Sequence, residues 1–542
     1  MDETTSGAGA ATIKLAPSGK GWETYWCVGA LLAVMVFFAF VRLRLRDLPL
    51  ERDEGEFAYV GQLMLQGTPP YKIACNMKLP GTYAAYAATM AVFGETASGI
   101  RIGLMLVNVA ATVLIFLLGK KLYGPLAGAI AGTTYSFLSC RPAVLGVYAH
   151  ATHFVVLAAL AGLLLLLHGI DSGRTGLFFG SGVCFGIAFL MKQPGILFGV
   201  FAGFYWLWQE WRRPFPWSKV LVRGGALFAG MVVPFGLTCL ILFCAGVFSN
   251  FWFWTWSYAR EYGSLITLRE AWPLLRAGLP WAMRPFVIWE IVALGLTASL
   301  WSRYARAHGG FVASFFLFSF LAVCPGLYFR PHYFILLMPA AGLCAGIGVC
   351  ALLQKLIEIR YRPLVAWLPV IYFALIFGIS VRAQYKKFFR LDPASLNEKI
   401  FGQDPFSEAI AVGNYIKAHS AEQETVALFG SEPEICFYSA RHCASSYLYM
   451  YPLMEKQRFA QQMESDMMQQ VEQARPRFLV YVDAVRSWET KPTYGENPEF
   501  LTMTWAYAHR DYELVDQVPI AGDPAHLWED RAYLYVFRRN AP

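Results

Sequence analysis

Charge is what this 542-residue chain has least of: charged residues make up 15% of it, against 56% hydrophobic and 16% aromatic. That balance excludes an ordinary water-soluble enzyme and identifies an integral membrane protein, with no nucleic acid expected among its partners. No cleavable leader is expected either. The first apolar run, Tyr25 to Val41, lies late and has no small-residue cleavage site before the next charges, so it reads as a retained anchor. Internal repeats and coiled-coil heptads are absent, and the small-residue stretch Thr4 to Ala11 reads as disordered. The eleven cysteines form no framework: most fall in apolar runs, where a thiol behaves as a small buried hydrophobe. Cys436 and Cys443 lie close together in a polar stretch and are a candidate disulfide pair that spacing alone does not establish.

What is present is a series of apolar runs long enough to cross roughly 30 Å of hydrocarbon. They cover 25–41, 100–119, 125–141, 150–168, 177–190, 196–208, 224–247, 286–301, 310–327, 333–353 and 364–380, which predicts about 11 transmembrane helices. Alternate short connectors carry the cations, at Lys120 and Lys121, Arg174, Arg212 to Arg223, Arg303 and Arg306, and Lys355 to Arg362. The positive-inside rule places these in the cytoplasm, with the N-terminus inside and the C-terminus outside. Arg42, Arg44, Arg46 and Arg52 fall on the opposite side and read as binders of anionic lipid or substrate.

Acidic residues are unevenly spent. Residues 1–390 hold 15 acidic against 32 basic residues, a net of +17, whereas residues 391–542 hold 22 against 13, a net of −9. The predicted organisation is therefore a cytoplasmic tail over 1–22, a multispanning domain over 23–390 with an external loop over 43–99, and a soluble α/β or α+β domain over 391–542. In that last domain, helical stretches near 405–419 and 453–473 alternate with β-rich runs at 424–429, 477–483, 512–518 and 531–538.

A third of the acidic residues before 391 crowd into ten positions after the first span: Asp47, Glu51, Asp53, Glu54 and Glu56. The segment from Glu51 to Gln66 has Phe57, Val60 and Met64 on one side, as in a helix lying in the membrane interface, and Gly67 with Pro69-Pro70 ends it. Asp53 and Glu56 fit an N-cap and its reciprocal partner, a structural role that leaves Glu51 and Glu54 unexplained. Isolated cations recur on the same predicted face: Lys78 ahead of Pro80, Lys192 within Met191-Lys192-Gln193-Pro194, Arg330 within Arg330-Pro331-His332-Tyr333, and Arg141. One such cation snorkels to headgroups as readily as it binds a ligand. Several on one face suit an anion whose remainder is lipid-soluble, such as a polyprenyl phosphate. His150 and His153, three apart, would share a helical face and hold either a metal or a phosphate. The aromatic run Phe251 to Trp256 reads as an interfacial belt or as a prenyl groove.

Four elements in order, Asp53-Glu54-Gly55-Glu56, Lys78-Leu79-Pro80, Lys192-Gln193-Pro194 and Arg330-Pro331-His332-Tyr333, resemble the GT-C membrane glycosyltransferases. The resemblance is to glycosyltransferase family 39, the protein O-mannosyltransferase-like and aminoarabinose-transferase-like group, and covers about residues 20 to 390. It implies transfer of a sugar, with inversion, from a polyprenyl-phosphate carrier to a lipid, protein or polysaccharide acceptor at the extracytoplasmic face of the cell (inner) membrane. It also implies that Asp53 serves as base or electrostatic partner, with Glu54 and Glu56 in support. Lys78, Lys192 and Arg330 would neutralise the leaving phosphate, with His150, His153, His332 and Tyr333 as further substrate-binding candidates. No cofactor is required, and a divalent metal is compatible with the histidines. The chain departs from aminoarabinose-type members in carrying Glu56 where they often carry Arg, and His150 and His153 where they carry an acidic residue. A transporter or flippase of a lipid-linked saccharide would use similar cations, but no repeat supports it.

Overall fold

The computed structural model describes residues 22–212, 217–402, 404–488, 497–521 and 532–540. The stretch Thr4 to Ala11, and the predicted tail apart from Trp22, lie outside these residues. All eleven apolar runs are helical or nearly so. In chain order the first nine helices are α1 (Trp22–Arg44), α2 (Arg52–Leu65), α3 (Pro80–Phe93), α4 (Ala97–Tyr123), α5 (Pro125–Leu138), α6 (Ala151–Ser172), α7 (Thr175–Met191), α8 (Ile196–Trp211) and α9 (Trp217–Cys244). Five helices among the described residues are long and apolar enough to cross a membrane: Glu23–Arg44, Ala97–Tyr123, Ala151–Ser172, Trp217–Cys244 and Pro331–Glu358. A sixth joins them if Leu268–Met283 and Val287–Trp301, bent by 104°, form one span. The remaining apolar runs make shorter helices such as Thr175–Met191, Gly309–Leu321 and Leu368–Ala383.

Two breaks in these helices matter for the site. Pro194 has no N–H to continue α7, so the chain leaves the helix in an extended conformation at Lys192 (φ −161°, ψ 138°) and restarts at Ile196. Pro331 likewise begins a 3₁₀ turn that carries His332 and Tyr333 before the helix Met338–Glu358. The start of α3 meets the end of α7 almost backbone to backbone. A Cβ on Gly81 would lie 2.5 Å from the Leu190 carbonyl oxygen, and Thr82 Oγ1 donates to the Met191 carbonyl at 2.8 Å. This approach sets Lys78 and Lys192 on either side of one space.

Beyond Leu391 the chain forms a five-stranded mixed sheet flanked by helices. Its strands are β1 (Thr425–Phe429), β2 (His442–Cys443), β3 (Phe478–Val482), β4 (Tyr512–Pro519) and β5 (Tyr533–Arg539), in the order β2-β1-β3-β5-β4. β1 runs parallel to β2 and β3, with Leu428 opposite Val480; β5 runs antiparallel to β3 and β4, with Val480 opposite Val536. Every residue of β3 is buried, as expected of a central strand covered on both faces. Cys436 and Cys443 are disulfide-bonded with Cα atoms 6.0 Å apart, tying the helix Glu434–Ser439 to β2.

The sheet does not have a core of its own. Phe57 of α2 and Tyr83 of α3 belong to the same apolar cluster as Phe429, Tyr481 and Trp488. Consequently α2 is no one-sided interfacial helix: its residues from Glu54 to Leu63 are all buried, and Gly55 leaves room for Glu434, which a Cβ would approach to 2.7 Å.

The cap of α2 is also two residues earlier than the pattern predicts. Glu51 is the N-cap, accepting from the Glu54 amide at 3.0 Å, while the Glu54 carboxylate reaches back to the Glu51 amide at 3.4 Å. Asp53 and Glu56 are thereby free of capping duty. Glu54 is further held by the buried guanidinium of Arg101 and by the Ala149 amide. Three of the four misplaced arginines are internal ties and not lipid ligands. Arg42 donates to the carbonyls of Gly146 and Ser139, Arg44 to those of Phe388 and Leu391, and Arg52 pairs with Asp404 at 3.1 Å and Glu432 at 2.8 Å.

Two substitutions test this scaffold. Glu54→Ala strands Arg101 as an unpaired buried cation, and breaking a buried pair from one side costs about 3–5 kcal/mol; a large drop in the apparent melting temperature of the purified protein is expected. Gly81→Ala overpacks the α3–α7 contact, costing about 1–3 kcal/mol, whereas Gly225→Ala, whose Cβ meets no atom within 4 Å, should leave the melting temperature unchanged or slightly raised.

Candidate active site

A cavity of about 440 Å³ lies between the helix bundle and the C-terminal sheet unit. Asp53, Lys78, His150, Lys192, Arg330, His332 and Tyr333 all line it, as do Glu51, Phe406, Asp404, Tyr449 and Tyr451. Residues separated by up to 400 positions in sequence, Glu51 and Tyr451, therefore meet in one space.

The first turn of α2 supplies the carboxylates. Lys78 Nζ lies 2.6 Å from Asp53 Oδ1 and 2.6 Å from Glu56 Oε2, and donates to the Tyr449 hydroxyl at 3.2 Å. The ammonium is thus wedged in the i, i+3 gap of the helix face, with the Phe57 ring 4.6 Å away. Glu56 is fully enclosed, accepting also from Asn76 at 3.0 Å and from the Tyr83 hydroxyl. Asp53 keeps one oxygen toward the cavity. That Oδ2 lies 3.8 Å from His150 Nδ1 and 3.8 Å from His332 Nε2, whose rings stack with centroids 4.0 Å apart.

Charge states follow from these surroundings. Burial works against the Asp53 anion, but Lys78, with lesser help from the two histidines, overcomes it and holds the carboxyl well below its ordinary range. Glu51 is the opposite case: burial, then repulsion from Asp53 and Glu54, pushes it well up. His150 is pushed down to about 3 by burial and is neutral. Burial pushes Lys192 down to about 7, with Lys78 and Arg330 acting in the same direction.

Neither Lys192 nor Arg330 forms an ion pair among the described residues. Lys192 Nζ rests 4.0 Å from the centroid of the Tyr333 ring. Arg330 donates to the Tyr262 hydroxyl at 3.3 Å and lies over Tyr328. Aromatic faces and a phenol orient these cations without neutralising them.

Several expectations are corrected here. His150 precedes α6 in an extended conformation (φ −60°, ψ 148°), so it does not share a helical face with His153. His332, from a distant turn, is its neighbour, and His153 is fully buried outside the cavity. Glu54 and Glu56 also lie behind the cavity wall. Arg141 gives its guanidinium to the carbonyls of Leu138, Ala282 and Arg284 and lines nothing. The Phe251 to Trp256 run is likewise absent from the cavity: Trp252 and Trp256 are exposed, Phe251 and Trp254 buried. Asp53, His150 and His332 place one ligand atom each within 4.8 Å of one another, a set compatible with a divalent ion.

Sequence reading missed Tyr449, Tyr451 and Asp404. All three come from the C-terminal unit, whose composition marks it as separate and so gives no sign that it closes the site.

Residues 78–237 match the family described as dolichyl-phosphate-mannose-protein mannosyltransferase. No curated protein matches the chain. The fold is similar to that of ArnT from Cupriavidus metallidurans bound to undecaprenyl phosphate, at 17% identity and a TM-score of 0.55, covering 95% of this chain and 98% of that one. The same protein in the apo state gives a TM-score of 0.56. The mycobacterial arabinofuranosyltransferase AftD is similar at 11% identity and a TM-score of 0.51, over 96% of this chain and 40% of its own. The chain thus has a fold similar to that of ArnT and, over residues 78–237, is similar to the mannosyltransferase family.

Proposed function

We propose that the protein transfers a sugar from a polyprenyl-phosphate carrier to an acceptor hydroxyl, with inversion, at the extracytoplasmic face of the cell membrane. The observation that carries this reading is the pair of uncompensated cations, Lys192 and Arg330, facing an ionised Asp53 across one cavity. A cavity with surplus positive charge next to a carboxylate suits a reaction in which a phosphate leaves and a proton is taken up. On this reading residues 23–390 form the catalytic membrane domain, the tail over 1–22 is cytoplasmic, and residues 391–542 lie outside the membrane.

The steps follow from the geometry. The donor phosphate sits among Lys192, Arg330 and Lys78, where developing negative charge is stabilised in a site sheltered from water. Because Lys78 is what depresses Asp53, any share of its charge taken by the phosphate makes Asp53 a stronger base at the moment the donor is in place. The acceptor oxygen attacks the anomeric carbon opposite the phosphate; the carbon–oxygen bond breaks, its electron pair leaves on the phosphate, and the acceptor proton passes to Asp53. Glu51, the neighbouring carboxyl on the wall, is pushed well up by burial and engaged in the cap, and Asp404 is paired with Arg52. No second free carboxylate stands ready as a nucleophile among the described residues, which favours a single displacement. His150 and His332, both beside Asp53, would hold a divalent ion if one takes part; its role would be to polarise the acceptor oxygen.

Two predictions follow. Asp53→Asn should lower transfer from a labelled polyprenyl-phosphate sugar by at least about a hundredfold, the scale of general-base catalysis, in membranes where the wild type is active; unimpaired transfer would remove Asp53 from the reaction. Lys192 is charged below pH about 7 and neutral above it, and only the charged form attracts phosphate. The Kd for a prenyl phosphodiester, whose own charge is constant, should therefore be flat on the acid side and weaken several-fold between pH about 7 and about 8.5. Lys192→Arg should abolish that pH dependence.

A further inference from the structure

Of the C-terminal side chains that line the cavity, Tyr449 is the one that bonds to Lys78. Its hydroxyl accepts from Lys78 Nζ at 3.2 Å, donates to the Arg52 carbonyl at 3.0 Å, and lies 3.5 Å from Asp53 Oδ1. An ammonium has three protons. Asp53, Glu56 and Tyr449 take all three, so the direction of every N–H of Lys78 is set, one of them by a residue more than 370 positions away. The phenol is itself fixed: its ring is nearly parallel to that of Tyr451 at 5.7 Å, and Tyr451 lies against the Arg52 guanidinium, which Glu432 and Asp404 clamp. Arg52 also donates to the Ser431 carbonyl at 2.7 Å. The turn of α2 that bears Asp53 is thus gripped from the sheet side at both its backbone and its preceding side chain.

We infer that Tyr449 is a positioning residue for the transfer reaction, by which the C-terminal unit fixes Lys78 and the Asp53 turn in their working geometry. This rests on the function proposed above. Acting through Lys78, the phenol need not touch either substrate. Without its hydroxyl the third N–H of Lys78 has no partner, and the ammonium is free to tilt away from Asp53. Asp53 is faced by Lys78, His150, His332, Glu51 and Tyr449. A loosened Lys78 therefore leaves the Asp53 turn and the cation beside it less well placed for the reaction, which lowers kcat and leaves acceptor binding nearly unchanged.

The test compares wild type, Tyr449→Phe, Tyr438→Phe and Asp53→Asn in purified full-length protein, with a labelled polyprenyl-phosphate sugar as donor. Tyr449→Phe keeps the ring and its packing. The expected result is a fall of about tenfold in kcat, a change of less than threefold in the acceptor KM and an unchanged melting temperature. Tyr438→Phe removes a different hydroxyl from the same unit, one that accepts from the Leu50 amide at 2.9 Å; it should leave kcat within twofold of wild type. A wild-type kcat in Tyr449→Phe, or an equal fall of kcat in Tyr438→Phe, overturns the inference. If wild type is active and Asp53→Asn is not, that failure belongs to Tyr449 alone; if wild type transfers no sugar from any donor tried, the proposed function falls and this inference with it.

Discussion

The site depends on a single buried ammonium held between two carboxylates one helical turn apart. Lys78 lies within 2.6 Å of both Asp53 and Glu56, and the three charges are affordable in a buried setting only because each is met by others. Glu56 has Asn76 and Tyr83, Lys78 has Tyr449, and Asp53 has the two histidines. The placement of the turn is fixed in its own right by the Glu51–Glu54 cap and by Arg101, a second set of charges that never reaches the cavity. Alternate carboxylates of one short segment thus do separate work: Glu51 and Glu54 hold the helix end, Asp53 and Glu56 hold the lysine.

Much of this arrangement was legible in the chain. Apolar runs announced the helices, since the length of a hydrophobic run is nearly sufficient to assign one. Breaks at Lys192 and Arg330 were visible because a proline beside an isolated cation has little reason to interrupt such a run. The register of the α2 cap was less visible, because Glu51, Asp53, Glu54 and Glu56 offer two equally good i, i+3 pairs. Only the position of Arg101 and Ala149, far away in sequence, selects the earlier one. The partner of His150 failed for a related reason. A spacing of three implies a shared face only inside a helix, and His150 stands just outside α6, so its ring turns to His332.

The contribution of Tyr449, Tyr451 and Asp404 had no local signal. The change from a net of +17 to a net of −9 near Leu391 marks a boundary in composition, yet the apolar core runs across it from Phe57 and Tyr83 to Phe429 and Tyr481. Composition reports the solvent a segment faces; it does not report which surfaces are buried against each other. A helix such as α2, with only its first residues and its C-terminal end in partial contact with solvent, gains its stability from that shared core and little from its own propensity.

This shared core also bears on how the cavity's charge can be tolerated. Lys192 and Arg330 remain without a carboxylate partner, and a half-buried cation without a counter-ion is costly and persists only where the surroundings are held rigidly enough to keep a carboxylate from collapsing onto it. Asp53 is the nearest such group on the wall, and Lys78 with Tyr449 pins it on the opposite side. Glu51 is engaged in the cap, and Asp404 is bound to Arg52. Every acid that might have cancelled the two cations is thus restrained by a bond to something else, and the positive charge stays available to an anion arriving from outside.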